Sequence, residues 1–215
     1  MDVVSLTRQL VDIESISGNE AQVGDFLYTE LSRLGYDTTK IAAAGDRCNV
    51  YAIPSTSPHP AVVFSTHMDT VPPFITSSED ATKVYGRGSC DAKGIIASQI
   101  MAAERLRADG IGVALLFLVG EERDSLGATV ANLYAPGSKF LINGEPTDNR
   151  IALASKGALR VELTAQGRMA HSAYPELGES AIDKLLNALG NLRSMKLPTN
   201  QEVGDCTLNI GTIEG

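Results

Sequence analysis

Residues 61–69 read AVVFSTHMD, and this stretch decides the fold class. Its first four residues are continuously apolar, which is typical of a strand that is covered on both faces of a sheet. The predicted strand covers residues 61–66, so His67 lies just past its carboxyl end. Because open α/β sheets bind ligands at this edge, the stretch predicts both a buried strand and a candidate site.

Helical and strand patterns alternate on both sides of this strand. Helices are predicted at 2–14, between a turn at 17–20 and Gly35, at 93–108 and at 125–133, and further strands at 36–41, 48–53, 113–119 and 139–142. This alternation predicts an α/β fold, with a mostly parallel sheet and helices on both faces, over residues 1–154.

The pattern changes near residue 154. A strand at 159–165, a helix at 181–192 and a strand at 206–213 are predicted there, and the alternation of apolar and polar residues indicates a sheet with one solvated face. We therefore expect a small α+β domain, or part of one, over residues 155–215.

Composition excludes several classes of function. The 215 residues carry 18 Lys plus Arg against 26 Asp plus Glu, and the basic residues are scattered, so no nucleic-acid partner is expected. No apolar run approaches the roughly 20 residues of a membrane span, and the N-terminus lacks the pattern of a signal peptide, so we expect a cytoplasmic protein without membrane contact. Cys48, Cys90 and Cys206 are expected to be free thiols, with Cys90 in a packing role.

The first candidate group is His67 with Asp69. A neutral imidazole at a sheet edge can bind a metal, and Asp69 can accept the other ring N–H and fix the orientation of the ring. A lone His at a strand end can instead simply bond to the backbone.

Asp91 lies in a glycine-rich turn, residues 86–94, that leads into the helix at 93–108. The turn lacks the Gly-Lys-Ser/Thr sequence of a phosphate-binding loop. Its glycines permit a turn that points the Asp91 carboxylate into a cleft, where its two oxygens can bridge two cations.

Glu121 and Glu122 directly follow the strand at 113–119, and Glu145 follows the strand at 139–142. Adjacent carboxylates in a pocket need a cation, so Glu122 is a candidate ligand and Glu121 a candidate base. Either loop alone could be a solvated acidic surface. Four successive strand ends that each present His, Asp or Glu favour a metal site.

His171 lies within residues 167–175 of the second unit. The residues alone leave three roles open, namely a metal ligand, a donor to a developing oxyanion and an exposed loop residue. His59, between two prolines, is interpreted as a loop residue.

Taken together, these motifs resemble the di-zinc hydrolases that include aminoacylase, acetylornithine deacetylase, succinyl-diaminopimelate desuccinylase and glutamate carboxypeptidase. The resemblance covers essentially the whole chain and rests on residues 67–72, 86–94, 121–122, 144–146 and 170–172, in the family's order and approximate spacing. It implies a zinc-exopeptidase-like catalytic domain and a partial lid or dimerisation domain.

The resemblance also implies two zinc ions, with cobalt or manganese as alternatives because mixed His and carboxylate ligands suit several cations. His67, Asp91 and Glu145 would hold one ion, and Asp91 and Glu122 the other. The family continues beyond the matched region and supplies a further His ligand to the second ion, and no His follows His171 here. The catalytic domain is thus expected to lack its C-terminal segment.

By the same resemblance, Asp69 is the partner of His67, Glu121 is the general base that acts on a water bridging the metals, and His171 donates to the oxyanion. The implied substrate is a small N-acyl amino acid or peptide, whose amide bond is hydrolysed. A homo-oligomer is expected, because the chain ends within a predicted lid sheet.

Two other functions remain open from the sequence. The chain could be a non-catalytic remnant that keeps one intact metal site, or a two-metal hydrolase of another bond class such as phosphoesters. The scarcity of basic residues around the acidic cluster argues against phosphoesters.

Overall fold

A computed structural model describes residues 2–134 and 137–214 of the chain. Within it the chain divides into two compact units, Met1–Asn149 and Arg150–Gly215. The division falls close to the predicted boundary at residue 154. Whether the units correspond to a catalytic domain and a lid stays a prediction.

Over residues 2–134 and 137–149, the first unit contains five longer strands, a short hairpin and four helices. In chain order these are α1 (Val3–Val11), α2 (Ala21–Arg33), β1 (Tyr36–Ala44), β2 (Arg47–Pro54), β3 (Val62–His67), β4 (Ser78–Glu79), β5 (Val84–Tyr85), α3 (Lys93–Ala108), β6 (Ala114–Leu118), α4 (Leu126–Ala131) and β7 (Phe140–Asn143). Every helix and strand predicted in this unit is present, and the short β4–β5 hairpin is additional.

The five longer strands form one sheet in the order β1-β2-β6-β3-β7. β3 pairs in parallel with both β6 and β7, whereas β2 is antiparallel to β1 and to β6. Four of the five strands therefore run in one direction. This confirms the predicted α/β fold with a mainly parallel sheet, and it places the carboxyl ends of β3, β6 and β7 at one edge.

The main core lies between this sheet and helices α1, α2 and α3. Leu10, Leu27 and Ile100 of these helices are fully buried against apolar residues of β2 and β6. Full burial of such an aliphatic side chain contributes about 1.5–3 kcal/mol to folding. A smaller cluster around Tyr51 and Val63 lies on the opposite face, where α4 also packs, so helices occupy both faces.

Local chemistry explains where the helices begin and end. The Asp2 carboxylate accepts the Ser5 N–H and caps α1. Gly35, at φ +87°, ends α2 in a backbone conformation that glycine adopts without strain. α3 begins at Lys93, at the end of the glycine-rich turn, and ends at Ala108, as predicted.

The second unit contains a 3₁₀ turn (Pro175–Leu177), α5 (Ala181–Ser194), β8 (Thr199–Asn200) and β9 (Gly204–Asp205). α5 confirms the predicted helix. The strands predicted at 159–165 and 206–213 are wrong, because the described residues form no strand there. The alternation of apolar and polar residues determines only which side of a strand would face a core. A strand also needs a neighbouring strand with which to form hydrogen bonds. The apolar side chains of Leu159 and Val161 are exposed, so they do not pack in a core.

Without a strand at 206–213, an unpaired sheet edge there no longer supports oligomerisation, and the oligomeric state stays a prediction.

Within 2–134 and 137–214, no helix has the length and apolar character needed to cross a membrane. The thiols of Cys48, Cys90 and Cys206 are free. Cys48 is buried, but Cys90 is exposed, so the packing role predicted for it is wrong.

Candidate metal centre

The sheet brings the predicted ligands together at one edge. His67 is the last residue of β3, Glu121 and Glu122 follow β6, and Glu145 follows β7. Because these three strands are parallel neighbours, their ends converge. Asp91 reaches the same place from the turn before α3.

The side chains form a compact donor group. His67 Nε2 lies 2.9 Å from Asp91 Oδ1 and 3.9 Å from Glu145 Oε2. One ligand atom each from His67, Asp91 and Glu122 lie within 4.8 Å of one another. One imidazole nitrogen and several carboxylate oxygens around a common point form a donor set that suits a divalent cation such as zinc.

The His67 ring is oriented by Asp69. Nδ1 lies 3.0 Å from the backbone oxygen of Asp69 and 3.4 Å from its carboxylate Oδ1. Since a carbonyl oxygen can only accept, Nδ1 carries the proton of the neutral ring and Nε2 keeps its lone pair. That lone pair faces Asp91, so the ring presents the nitrogen that a metal ligand needs.

Asp69 also organises the loop after β6. Its buried carboxylate accepts hydrogen bonds from the Ser17 hydroxyl at 2.6 Å, the Glu121 N–H at 3.0 Å and the Glu122 N–H at 3.2 Å. Although burial alone would raise the pKa of Asp69, its contacts with His67, Ser17 and the Glu121 amide lower it below the ordinary value. Asp69 is therefore an ionised link between the two predicted metal-binding segments.

The electrostatics of the group favour a cation. Burial alone would lower the pKa of His67, but contacts with Asp69 and Asp91 outweigh it and raise the pKa to about 9. Burial, with repulsion from neighbouring carboxylates, raises the pKa of Glu122 and of Glu145. A divalent cation among these groups would favour the ionised carboxylates and the neutral imidazole, so the residues fit a metal.

The glycine-rich turn holds Asp91 in place. Gly86 and Gly88 have φ values of +134° and +89°, a range that residues other than glycine rarely adopt, and the sequence predicted a turn that depends on these glycines. A Cβ on Gly86 would lie 2.5 Å from Val11 Cγ1, and one on Gly88 would lie 2.9 Å from Thr70 Cγ2. Larger residues at these positions would push the Asp91 turn away from β3.

A cleft of about 740 Å³ opens beside the donor group, and His67, Glu121 and Glu145 line it. The Glu121 side chain is exposed in this cleft and lies outside the tight group of His67, Asp91 and Glu122. A carboxylate in this position can exchange protons with a ligand in the cleft.

His171 lies in the second unit and is exposed. Its Nδ1 accepts the Ala173 N–H at 3.1 Å, so the ring proton of the neutral form is on Nε2 and is available for donation. The oxyanion role predicted for His171 stays a prediction. His59 lies in an exposed loop, as expected.

Ser17 was missed as a site residue by sequence reasoning. The sequence identified it only as part of a turn before α2, whereas its hydroxyl bonds to Asp69, 52 positions further along the chain. A contact this distant leaves no local pattern, so nothing in the sequence alone identifies it.

Comparison with known proteins now decides the family. Residues 63–206 match the description Peptidase family M20/M25/M40. The chain belongs to this family. A peptidase M20 domain-containing protein of Schizosaccharomyces pombe is 41% identical over 222 residues, covering 100% of this chain and 56% of that protein. A probable carboxypeptidase of Talaromyces marneffei is 38% identical over 250 residues, covering 99% of this chain and 55% of that protein.

Among solved structures, a tripeptidase of Staphylococcus aureus shares the fold, with a TM-score of 0.65 at 22% identity over 91% of this chain and 56% of that one. The family match confirms the predicted resemblance to a family of metallopeptidases. The chain spans about half the length of the relatives that it matches.

Proposed function

We propose that this chain provides the metal centre of a hydrolase that cleaves amide bonds in N-acyl amino acids or small peptides. The observation that carries the proposal is the convergence of His67, Asp91 and Glu122 within 4.8 Å at the carboxyl edge of the sheet. Membership of the M20 peptidase family supports the bond class, and the probable carboxypeptidase and tripeptidase among the matches support a peptide substrate.

In this proposal, His67, Asp91, Glu122 and Glu145 are the residues that would hold two divalent cations. Zinc is the proposed ion, and cobalt and manganese are the alternatives for the same ligands. Such ions polarise a scissile carbonyl and lower the pKa of water when bound. Asp69 keeps the proton of His67 on Nδ1 and fixes the loop of Glu121 and Glu122 through their amides.

Glu121 is the proposed general base. Its exposed carboxylate in the cleft takes a proton from the attacking water and then delivers it to the nitrogen of the leaving amine. The proton on His171 Nε2 is proposed to stabilise the developing oxyanion. The Nδ1 contact of His171 with the Ala173 amide supports this choice of donor atom.

The test combines metal content with turnover of N-acetyl amino acids and dipeptides by the purified chain. Glu121→Gln should lower kcat by about 10²–10⁴-fold while metal content stays unchanged, since Glu121 lies outside the tight donor group. Glu79→Gln is the matched control, because Glu79 is an exposed carboxylate on β4 that pairs with Arg8. Equal turnover by the parent chain and Glu121→Gln would remove Glu121 as the base.

The same measurements test the alternative of a single-site, non-catalytic metal-binding chain. Glu145 Oε2 lies 3.9 Å and Asp91 Oδ1 2.9 Å from His67 Nε2, so three donor residues are available to a single ion. One bound metal per chain without hydrolysis would support this alternative and would contradict the proposed activity.

We also propose that the protein is a homo-oligomer with a cytoplasmic location, and sedimentation at micromolar concentration tests the oligomeric state.

A further inference from the structure

Buried side chains hold the loop that carries Glu121 and Glu122 by its backbone. Each of the four consecutive amides of residues 119–122 donates to a side-chain oxygen. In order, the acceptors are Asn49 Oδ1 at 3.1 Å, Glu20 Oε1 at 3.1 Å, Asp69 Oδ1 at 3.0 Å and Asp69 Oδ2 at 3.2 Å. The acceptors come from three different parts of the chain, so together they fix the path of the loop.

Glu20 is the unexpected member of this set. Its side chain has no exposure, and it lies just before α2, 100 residues from the amide that it accepts. Four donors surround the carboxylate, namely the N–H groups of Gly18 and Gly120, both at 3.1 Å, and Arg47 Nε and Nη2, at 2.6 and 2.8 Å. A buried carboxylate needs such complete pairing, and the two-pronged contact with Arg47 fixes its position.

Arg47 also lies directly against the loop. Gly120 has φ +72°, and a Cβ built on it would lie 2.9 Å from Arg47 Nη2 and 2.8 Å from Asp124 Oδ1. The guanidinium group therefore packs closely against the residue that precedes Glu121. The side chain of Arg47 is only 15% exposed, so water does little to weaken this contact.

We propose that Glu20, held by Arg47, is a positioning residue of the metal centre that acts through the Gly120 amide on the placement of Glu121 and Glu122. Glu20 accepts the Gly120 N–H, and the proposed base Glu121 and the proposed ligand Glu122 are the next two residues of the loop. Outer residues of this kind commonly change metal affinity or activity by 10–100-fold when they are removed. The inference rests on the proposed metal centre and is independent of the substrate.

The alternative is an ion pair that only stabilises the fold, and a matched pair of variants separates the two. Glu20→Gln keeps the shape of the side chain but replaces one acceptor oxygen by an NH₂ group. It therefore cannot accept from both Arg47 and Gly120 in the same way. The control is Glu104→Gln on α3, because Glu104 also pairs with an arginine, Arg107 Nη2 at 2.6 Å. Its hydrogen-bond partners are Arg107 and Tyr36, whereas those of Glu20 include the Gly120 amide of the loop.

Two measurements follow. The first is amide hydrogen exchange of residues 119–122 in the metal-free protein, and the second is the zinc Kd from competition with a chelator. We expect Glu20→Gln to speed exchange of these amides by about tenfold and to raise the zinc Kd by about 10–100-fold. Glu104→Gln should leave both values at those of the parent chain.

Unchanged exchange at residues 119–122 in Glu20→Gln, or equal effects of the two variants on zinc, would overturn the proposal. If the parent chain binds no zinc, the proposed function fails, while the exchange measurement still tests Glu20. If Glu20→Gln does not fold, Arg47→Lys keeps a cation beside Glu20 and removes the two-pronged contact. Faster exchange confined to residues 119–122 is then expected, and unchanged exchange there would contradict the inference.

Discussion

At the scale of single residues, the sequence identified the candidate metal ligands and Asp69, which orients His67, but it did not identify Ser17 and Glu20. His67 ends a strand, Asp91 lies in a glycine-rich turn, and Glu122 and Glu145 follow strands, so each has a local pattern. Glu20 contacts the loop after β6 across 100 positions. A polar side chain in a turn is usually solvated, so only the three-dimensional structure shows that Glu20 is buried and paired.

Tyr36 gives a pH-dependent prediction at this scale. Burial, and then donation of its hydroxyl to Glu104 Oε1 at 2.8 Å, raise its pKa above the ordinary value of 10.0. Because the folded pKa is the higher one, this stabilisation is fully present below about pH 10 and is lost as the pH rises further. At pH 11 the loss should be about 1.4 kcal/mol, and Tyr36→Phe should not show it.

Urea unfolding at pH 8 and pH 11 measures this difference. At pH 8, Tyr36→Phe should be less stable than the parent chain by about 1 kcal/mol, because one hydrogen bond is lost. The gap should close or reverse at pH 11. Tyr28→Phe, at a partly exposed tyrosine on α2, is the control and should keep the pH dependence of the parent. A gap for Tyr36→Phe that stays constant between the two pH values would refute the prediction.

At the scale of elements, the sequence predicted a helix or strand correctly where residues within or next to the segment determine its bounds. α3 (Lys93–Ala108) has the predicted bounds because a glycine-rich turn precedes it and Gly110 follows it. The strands predicted at 159–165 and 206–213 failed because their alternation says nothing about which neighbour would pair with them. Pairing is a property of the assembled sheet, whereas periodicity is a property of the segment.

The turn before α3 gives a prediction about glycine. Gly88 and Gly110 both have left-handed backbones, at φ +89° and +79°. A Cβ on Gly88 would lie 2.9 Å from Thr70 Cγ2, whereas a Cβ on Gly110 would meet nothing within 4 Å. Both alanine variants should therefore lose about 1–2 kcal/mol of stability from backbone strain, and Gly88→Ala should lose more.

Only Gly88→Ala should also weaken zinc binding, because only that turn carries Asp91. Thermal unfolding gives the stability of each variant, and competition with a chelator gives its zinc Kd. Gly110→Ala thus controls for strain without a clash. Equal zinc Kd values for the two variants would show that the glycine at 88 does not determine the placement of Asp91.

At the scale of the whole molecule, one edge of the sheet concentrates negative charge. The chain has a formal net charge of −8, and Asp91, Glu121, Glu122 and Glu145 all lie near His67 at this edge. Like charges at this distance oppose folding, and the sheet holds them together only because its core offsets the repulsion. The arrangement of β3, β6 and β7 therefore stores unfavourable electrostatic energy that a cation can relieve.

A bound divalent cation should consequently stabilise the entire first unit. Zinc at about 100 times its Kd should raise the free energy of unfolding by about 2.7 kcal/mol, because it binds the folded site far better than the unfolded chain. Thermal unfolding with zinc and with excess chelator measures the effect as a difference in Tm. Asp91→Asn is the control, since it removes the carboxylate nearest to His67 Nε2 and should abolish most of the shift. An equal zinc-dependent shift in Asp91→Asn would place the stabilising ion elsewhere, and no shift in the parent chain would mean that the converged carboxylates do not bind a cation.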